Sequence, residues 1–211
     1  EQNLEEEPDN HWNIRHWFEA ARRLPDVDID LAIERLRIWY NKKASIDVLY
    51  YLYVLYALEA IEGSRKARTF AERFMQECKQ RIVPLQLATQ KHSFNWLGRG
   101  SGLSSLVHFK EVKSPRSGAD WYRDEDGTML LARIPGVIEH ISSPTSGSVE
   151  LRCGLRVYFT PGFRRHTPGS EEVAAGTFVA PRDLNKEVDF FLGFSYEGLR
   201  AYDVAFLARR F

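Results

Sequence analysis

Cysteine is scarce in this chain: among 211 residues there are only Cys78 and Cys153, far apart and without a Cys-x-x-Cys spacing. Neither a disulfide framework nor a zinc cluster is readable from two such residues, and a reducing, cytoplasmic setting is the expectation. Net charge is absent too, since 29 Lys+Arg balance 29 Asp+Glu. No whole-chain basic excess therefore announces nucleic acid or a membrane surface. The longest apolar run, 48–58, falls short of the roughly 20 residues that cross a bilayer, so no membrane partner is expected. The acidic start at 1–10 lacks Met and any basic-then-apolar leader pattern, and reads as a piece of a longer cytoplasmic chain.

What is present is enough to fold. Hydrophobic residues make up 44%, charged 27% and aromatic 13%, which excludes disordered, collagen-like and low-complexity classes. The charge is unevenly placed. Residues 79–117 hold seven basic residues and one acidic, among them Lys91, Arg99, Lys110 and Lys113. A local run of this kind is either a solvated surface or a polyanion contact.

The first half predicts four helices. Asp9 and Asn10 can cap a helix bearing Trp12, Trp17, Phe18, Ala21 and Leu24, ended by Pro25. After the acids Asp26, Asp28 and Asp30, the residues Leu31, Ile33, Leu36, Trp39 and Tyr40 recur at helical spacing. Ser45 caps a third helix, 46–62, so apolar that it belongs in the middle, with four tyrosines whose hydroxyls need partners at its edge. Ser64 caps a fourth, striped with Ala67, Phe70, Ala71, Phe74, Met75 and Cys78. This long aromatic helix, Gly-Ser turn and small-residue helix resemble one tetratricopeptide-type hairpin, which implies a helical scaffold or a peptide groove.

The stretch 84–127 loses periodicity. Phe94 and Trp96 read as anchors of a linker, and Gly98, Gly100 and Gly102 as positions of positive φ; no phosphate-loop pattern is present. Beyond residue 130 short runs predict strands at 137–141, 148–151, 155–160, 177–180, 188–194 and 201–207, separated by turn residues. Five or six short antiparallel strands in some 80 residues predict a small closed barrel. The expected fold class is α+β: a helical, tetratricopeptide-like bundle over 1–90, a basic Gly-containing connector over 91–130, and a barrel over 131–211.

The order Gly136-Val137-Ile138-Glu139-His140-Ile141, Gly147-Ser148-Val149-Glu150-Leu151, Leu155-Arg156-Val157-Tyr158-Phe159, Val188 to Phe194, and Gly198 to Val204 resembles the cold-shock type of oligonucleotide/oligosaccharide-binding (OB) fold. That resemblance implies single-strand RNA or DNA binding by rings stacked on the outer face of the first three strands. Alternation sets Ser148 and Glu150 where the family carries phenylalanines, leaving His140 and Tyr158 as rings and Arg152, Arg156, Arg164 and Arg165 as phosphate contacts. Helices followed by such a barrel also resemble, in architecture, the carboxyl-terminal region of STAND-type NTPase defence proteins, including vertebrate sterile-alpha-motif-containing members.

Catalysis finds no motif. His11 and His16 are five apart and read as packing, no G-x-S-x-G occurs, and the aspartates near 26–30 lack an EF-hand loop. The expectation is a non-enzymatic recognition or regulatory module of a cytoplasmic, antiviral-defence type protein, without metal or cofactor. It would contact a protein partner or another region of its own chain, the alternative being a single-strand RNA/DNA-binding protein.

Overall fold

The computed structural model describes residues 10–24, 27–82, 93–100, 102–108, 111, 130–159 and 178–207. They fall in two compact units: those within 1–91, 100–106 and 195–198, and those within 92–99, 107–194 and 199–211.

The first unit is built on four helices, α1 (His11–Arg23), α2 (Ile29–Lys42), α3 (Ile46–Ile61) and α4 (Arg65–Arg81). Each begins at a side-chain cap: Asn10 accepts from the Trp12 amide, Asp28 from Asp30, Ser45 from Val48 and Ser64 from Ala67. Such caps satisfy amides that the helix itself leaves without acceptors. Helix α3 is buried from Asp47 to Leu58, so it forms the centre that its composition predicts. Its neighbours cover it with rings, Phe18 stacking on Tyr51 at 4.0 Å and Phe74 on Tyr56 at 5.7 Å. Burial from all sides also explains Cys78, a core thiol pushed up to about 12 by desolvation.

Two helix faces differ from expectation. Phe18 and Ala21 on α1 and Ile33, Leu36 and Trp39 on α2 are buried as expected, but Trp12, Leu24 and Leu31 are more than half exposed, and Ile14 and Ala32 are buried in addition. Alternative apolar stripes lie within one or two positions on both helices, and contact with α3 selects between them. His16 is exposed, its ring 6.1 Å from Trp12, rather than packed in the core.

The second unit is a sheet of seven strands, β1 (Phe94–Trp96), β2 (Leu106–His108), β3 (Ile134–Ser143), β4 (Ser146–Glu150), β5 (Arg156–Phe159), β6 (Glu187–Ser195) and β7 (Gly198–Phe206), with Leu106, Ser195 and Gly198 at strand ends assigned to the helical unit. The order is β2-β1-β6-β3-β4-β5-β7, and β6 pairs again with β7. Strands β3 to β7 thus close into a five-stranded barrel, compatible with an OB-like barrel. Sequence turns suggest only antiparallel reversals, and β3–β4, β4–β5 and β3–β6 obey them. The pairing of β5 with β7 is parallel, Tyr158 opposite Arg200, because these strands are not chain neighbours and no hairpin dictates their sense.

Two glycines explain how the barrel closes tightly. A Cβ at Gly136 would lie 2.4 Å from a Val149 methyl, and one at Gly147 would lie 2.1 Å from the His140 carbonyl oxygen. Both positions lead strands in the sequence pattern, and close backbone approach is the reason.

Two segments read differently from the sequence. Residues 94–96 and 106–108 are short strands, β1 pairing antiparallel with β6 through Phe94 and Phe194, where the sequence reading had only a linker. Phe178 to Asn185 is not a strand. There the buried Asp183 carboxylate accepts from the Val179 amide at 2.8 Å, Arg182 Nε at 3.0 Å and Lys186 Nζ at 2.8 Å, coiling the segment into turns. Gly98, Gly100 and Gly102 do take positive φ, between 73° and 76°.

Candidate recognition face of the barrel

The outer face of β3, β4 and β5 carries the residues singled out from the sequence. Its geometry is set by a bulge. Ile138 pairs with Val149 and His140 with Ser148, so Glu139 is an extra residue on β3. A bulge of this kind re-aims side chains that strict alternation would send to opposite faces.

Glu139 consequently lies against β4 and β5. Arg156 donates to it twice, from Nε at 2.5 Å and from the terminal nitrogen, and the Ser148 hydroxyl donates at 3.2 Å. These donors hold the Glu139 carboxyl below the usual carboxylate range, chiefly through the Arg156 hydrogen bond. Arg156 in turn is held more firmly protonated by Glu139 and also donates to the Tyr158 hydroxyl. Its side chain is 54% exposed, so the pair is worth only about 0.2–1 kcal/mol. The consequence is electrostatic rather than energetic: the central guanidinium of the face already has a carboxylate partner.

The remaining candidates divide. His140 and Tyr158 both stand opposite Ser148, on β3 and β5, so the two rings flank one position of the middle strand. Ser148 itself is buried at 3%, bridged to Glu139 instead of standing open. Glu150 is exposed and opposite Arg156, giving the face two carboxylates against one guanidinium. Arg152 is exposed in the β4–β5 turn, and Arg99 is exposed in the bend after β1, which β6 and β3 separate from β4 in the strand order. Lys91, Lys110, Lys113, Arg164 and Arg165 lie outside the described residues, as does most of the basic run.

Sequence reasoning missed Glu139 as the centre of this face. Its signal was there in a strand carrying both Glu139 and His140, but only the bulge puts them together. It also missed Arg133. Arg133 Nε donates to Asp189 at 2.6 Å and a terminal nitrogen to Asp203 at 2.8 Å, with the guanidinium carbon 4.9 Å from the Phe191 ring centre. That arginine ties β6 to β7 and has its donors engaged.

The helical unit hides its own polar network. Arg15 Nε donates to Asp47 at 2.9 Å, the Tyr196 hydroxyl donates to the same carboxylate oxygen, and the Tyr196 ring stacks on Tyr50 at 4.1 Å. Burial, then the Asp47 charge, push the Tyr196 phenol well above its ordinary value, so it stays a donor. Among the described residues no group of three or more His, Cys, Asp or Glu is placed to hold a metal ion, and no helix is long and apolar enough to cross a membrane.

Compared with protein-family models, with curated proteins and with solved structures, the chain matches none.

Proposed function

We propose that this chain is a non-enzymatic recognition module that works through protein contacts, with a partner or with a further region of a longer chain, and that its barrel has little affinity for nucleic acid. The observation carrying this reading is the Glu139–Arg156 pair. On a face of OB-like topology, single strands need rings for bases and free cations for phosphates. Here the middle of the face offers a carboxylate already bound to its arginine, so a phosphate must displace Glu139 before Arg156 can receive it. Two rings, at about 1–3 kcal/mol per stacked base, do not offset two carboxylates facing a polyanion.

The test is fluorescence anisotropy of a labelled single-stranded RNA in a salt series from about 50 to about 200 mM, where binding through phosphates would fall steeply. The expected result is no binding tighter than the roughly 10⁻⁴ M of non-specific contact. Tight, salt-sensitive binding that is lost in Tyr158→Ala and Arg156→Ala would replace this reading with that of a single-strand-binding protein. The resemblance in architecture to STAND-type defence proteins fits a regulatory setting of this kind and names no ligand.

A further inference from the structure

In the helical unit, Tyr40 of α2 packs edge-on against Phe74 of α4 at 5.3 Å, and its hydroxyl donates to Glu77 at 3.0 Å. Along α2, from Asp30 to Asn41, runs an open groove of about 560 Å³, walled by α2 and the first turns of α4 and floored by α3. Pockets that admit a few side chains are of this size. Ile33, Tyr56 and Phe70 supply an apolar lining, the last two rings stacked at 5.0 Å. Arg37 is built into the wall, its guanidinium 5.7 Å from the Phe70 ring centre and donating to the Tyr56 hydroxyl.

Charge selects what this groove takes. Asp30 and Glu34 from α2 and Glu59 from α3 line it, three carboxyls beside the Arg37 guanidinium and the Lys66 ammonium. Burial first, and then the neighbouring Asp30 carboxyl, push the Glu59 carboxyl above its ordinary value. A cation seated beside them offsets that repulsion and favours the ionised form of Glu59. Lys66 stands on the exposed rim, on the opposite wall.

We infer that this groove docks a short segment of a protein partner bearing a lysine or arginine next to apolar side chains, the cation between Asp30 and Glu59 and the apolar part on Tyr56 and Phe70. The inference rests on the protein-contact reading above and names the chemistry of the partner.

The probe is an acetylated, amidated peptide of leucines around one lysine, titrated calorimetrically into the full chain beside its norleucine and glutamate counterparts. The lysine peptide should bind about tenfold tighter than the norleucine one, and the glutamate one weakest. Glu59→Gln combined with Asp30→Asn, both at partly or fully exposed positions, should erase the preference while leaving the circular dichroism unchanged. Phe70→Ala should weaken the lysine and norleucine peptides alike. Equal binding of lysine and norleucine peptides, no binding of either, or a preference that survives the double variant would overturn the inference. RNA binding in the salt series would instead overturn the reading beneath it, so the two failures are separable.

Discussion

The Asp47 network of the helical unit and the Glu139–Arg156 pair of the barrel unit place their charges in opposite ways. Around α3, Asp47 is 2% exposed and meets Arg15 and Tyr196 inside the core, where an aromatic wall excludes water. On the barrel, Glu139 and Arg156 meet in the open at the surface. A buried carboxylate is expensive to strand and specifies which partners surround it, whereas an exposed pair contributes little to stability and mainly sets what the surface attracts. The first arrangement therefore belongs to folding, while the second sets the charge of the exposed face.

The sharpest way to break the comparison is Asp47→Ala. It leaves Arg15 and the Tyr196 hydroxyl without their acceptor in the core, and should cost about 3–5 kcal/mol, read by urea denaturation followed by far-ultraviolet circular dichroism. A loss no larger than that of a surface carboxylate would remove the distinction. Smaller is the effect expected of Gly147→Val, which forces side-chain atoms against the His140 carbonyl and the Phe159 ring. Overpacking of that kind costs about 1–3 kcal/mol, and the thermal midpoint should fall without any change in the helical signal.

The least effect on stability, and the clearest pH signature, belongs to Glu139→Gln. At neutral pH it should change stability by less than about 1 kcal/mol. Because the folded-state value of Glu139 lies below its ordinary 4.5, its contribution is present above that pH and is lost as pH falls through the lower folded value. The difference in unfolding free energy between parent and variant should thus shrink in acid. A difference that grows on acidification would mean that the Arg156 pair does not stabilise the folded ionised form.

Much of the helical half was legible from local chemistry. Asn10, Ser45 and Ser64 announce helix starts because a cap acts within three residues, and α3 announces its place because so few of its side chains tolerate water. The exposed Trp12 and Leu31 escaped, since an amphipathic pattern with two candidate stripes is decided by the neighbour that covers one of them. In the barrel, the turns at 144–145, 152–154 and 196–197 were readable. Strands β1 and β2 were not, for three residues are too few to show a period of two. The Phe178–Asn185 turns escaped because a single buried carboxylate, Asp183, overrides the apolar spelling of Thr177 to Ala180.

The candidate face shows the same division. His140, Arg156 and Tyr158 were named from alternation and from the OB-like order of strands, and they do stand on the two strands that flank β4. That Arg156 is already engaged was out of reach. Strict alternation can put only one of Glu139 and His140 outside, and the extra residue that presents both arises from a pairing register between β3 and β4.

By itself, the sequence determined the class of each element: caps, helical periods, glycines at crowded strand starts and short alternating runs act over a few residues, within reach of local steric and solvation rules. Only tertiary structure decided the parallel β5–β7 closure, the bulge that hands Glu139 to Arg156, and the meeting of Asp47 with Tyr196. Those depend on residues 17 to 149 positions apart, whose proximity is a property of the packed chain and of no segment within it.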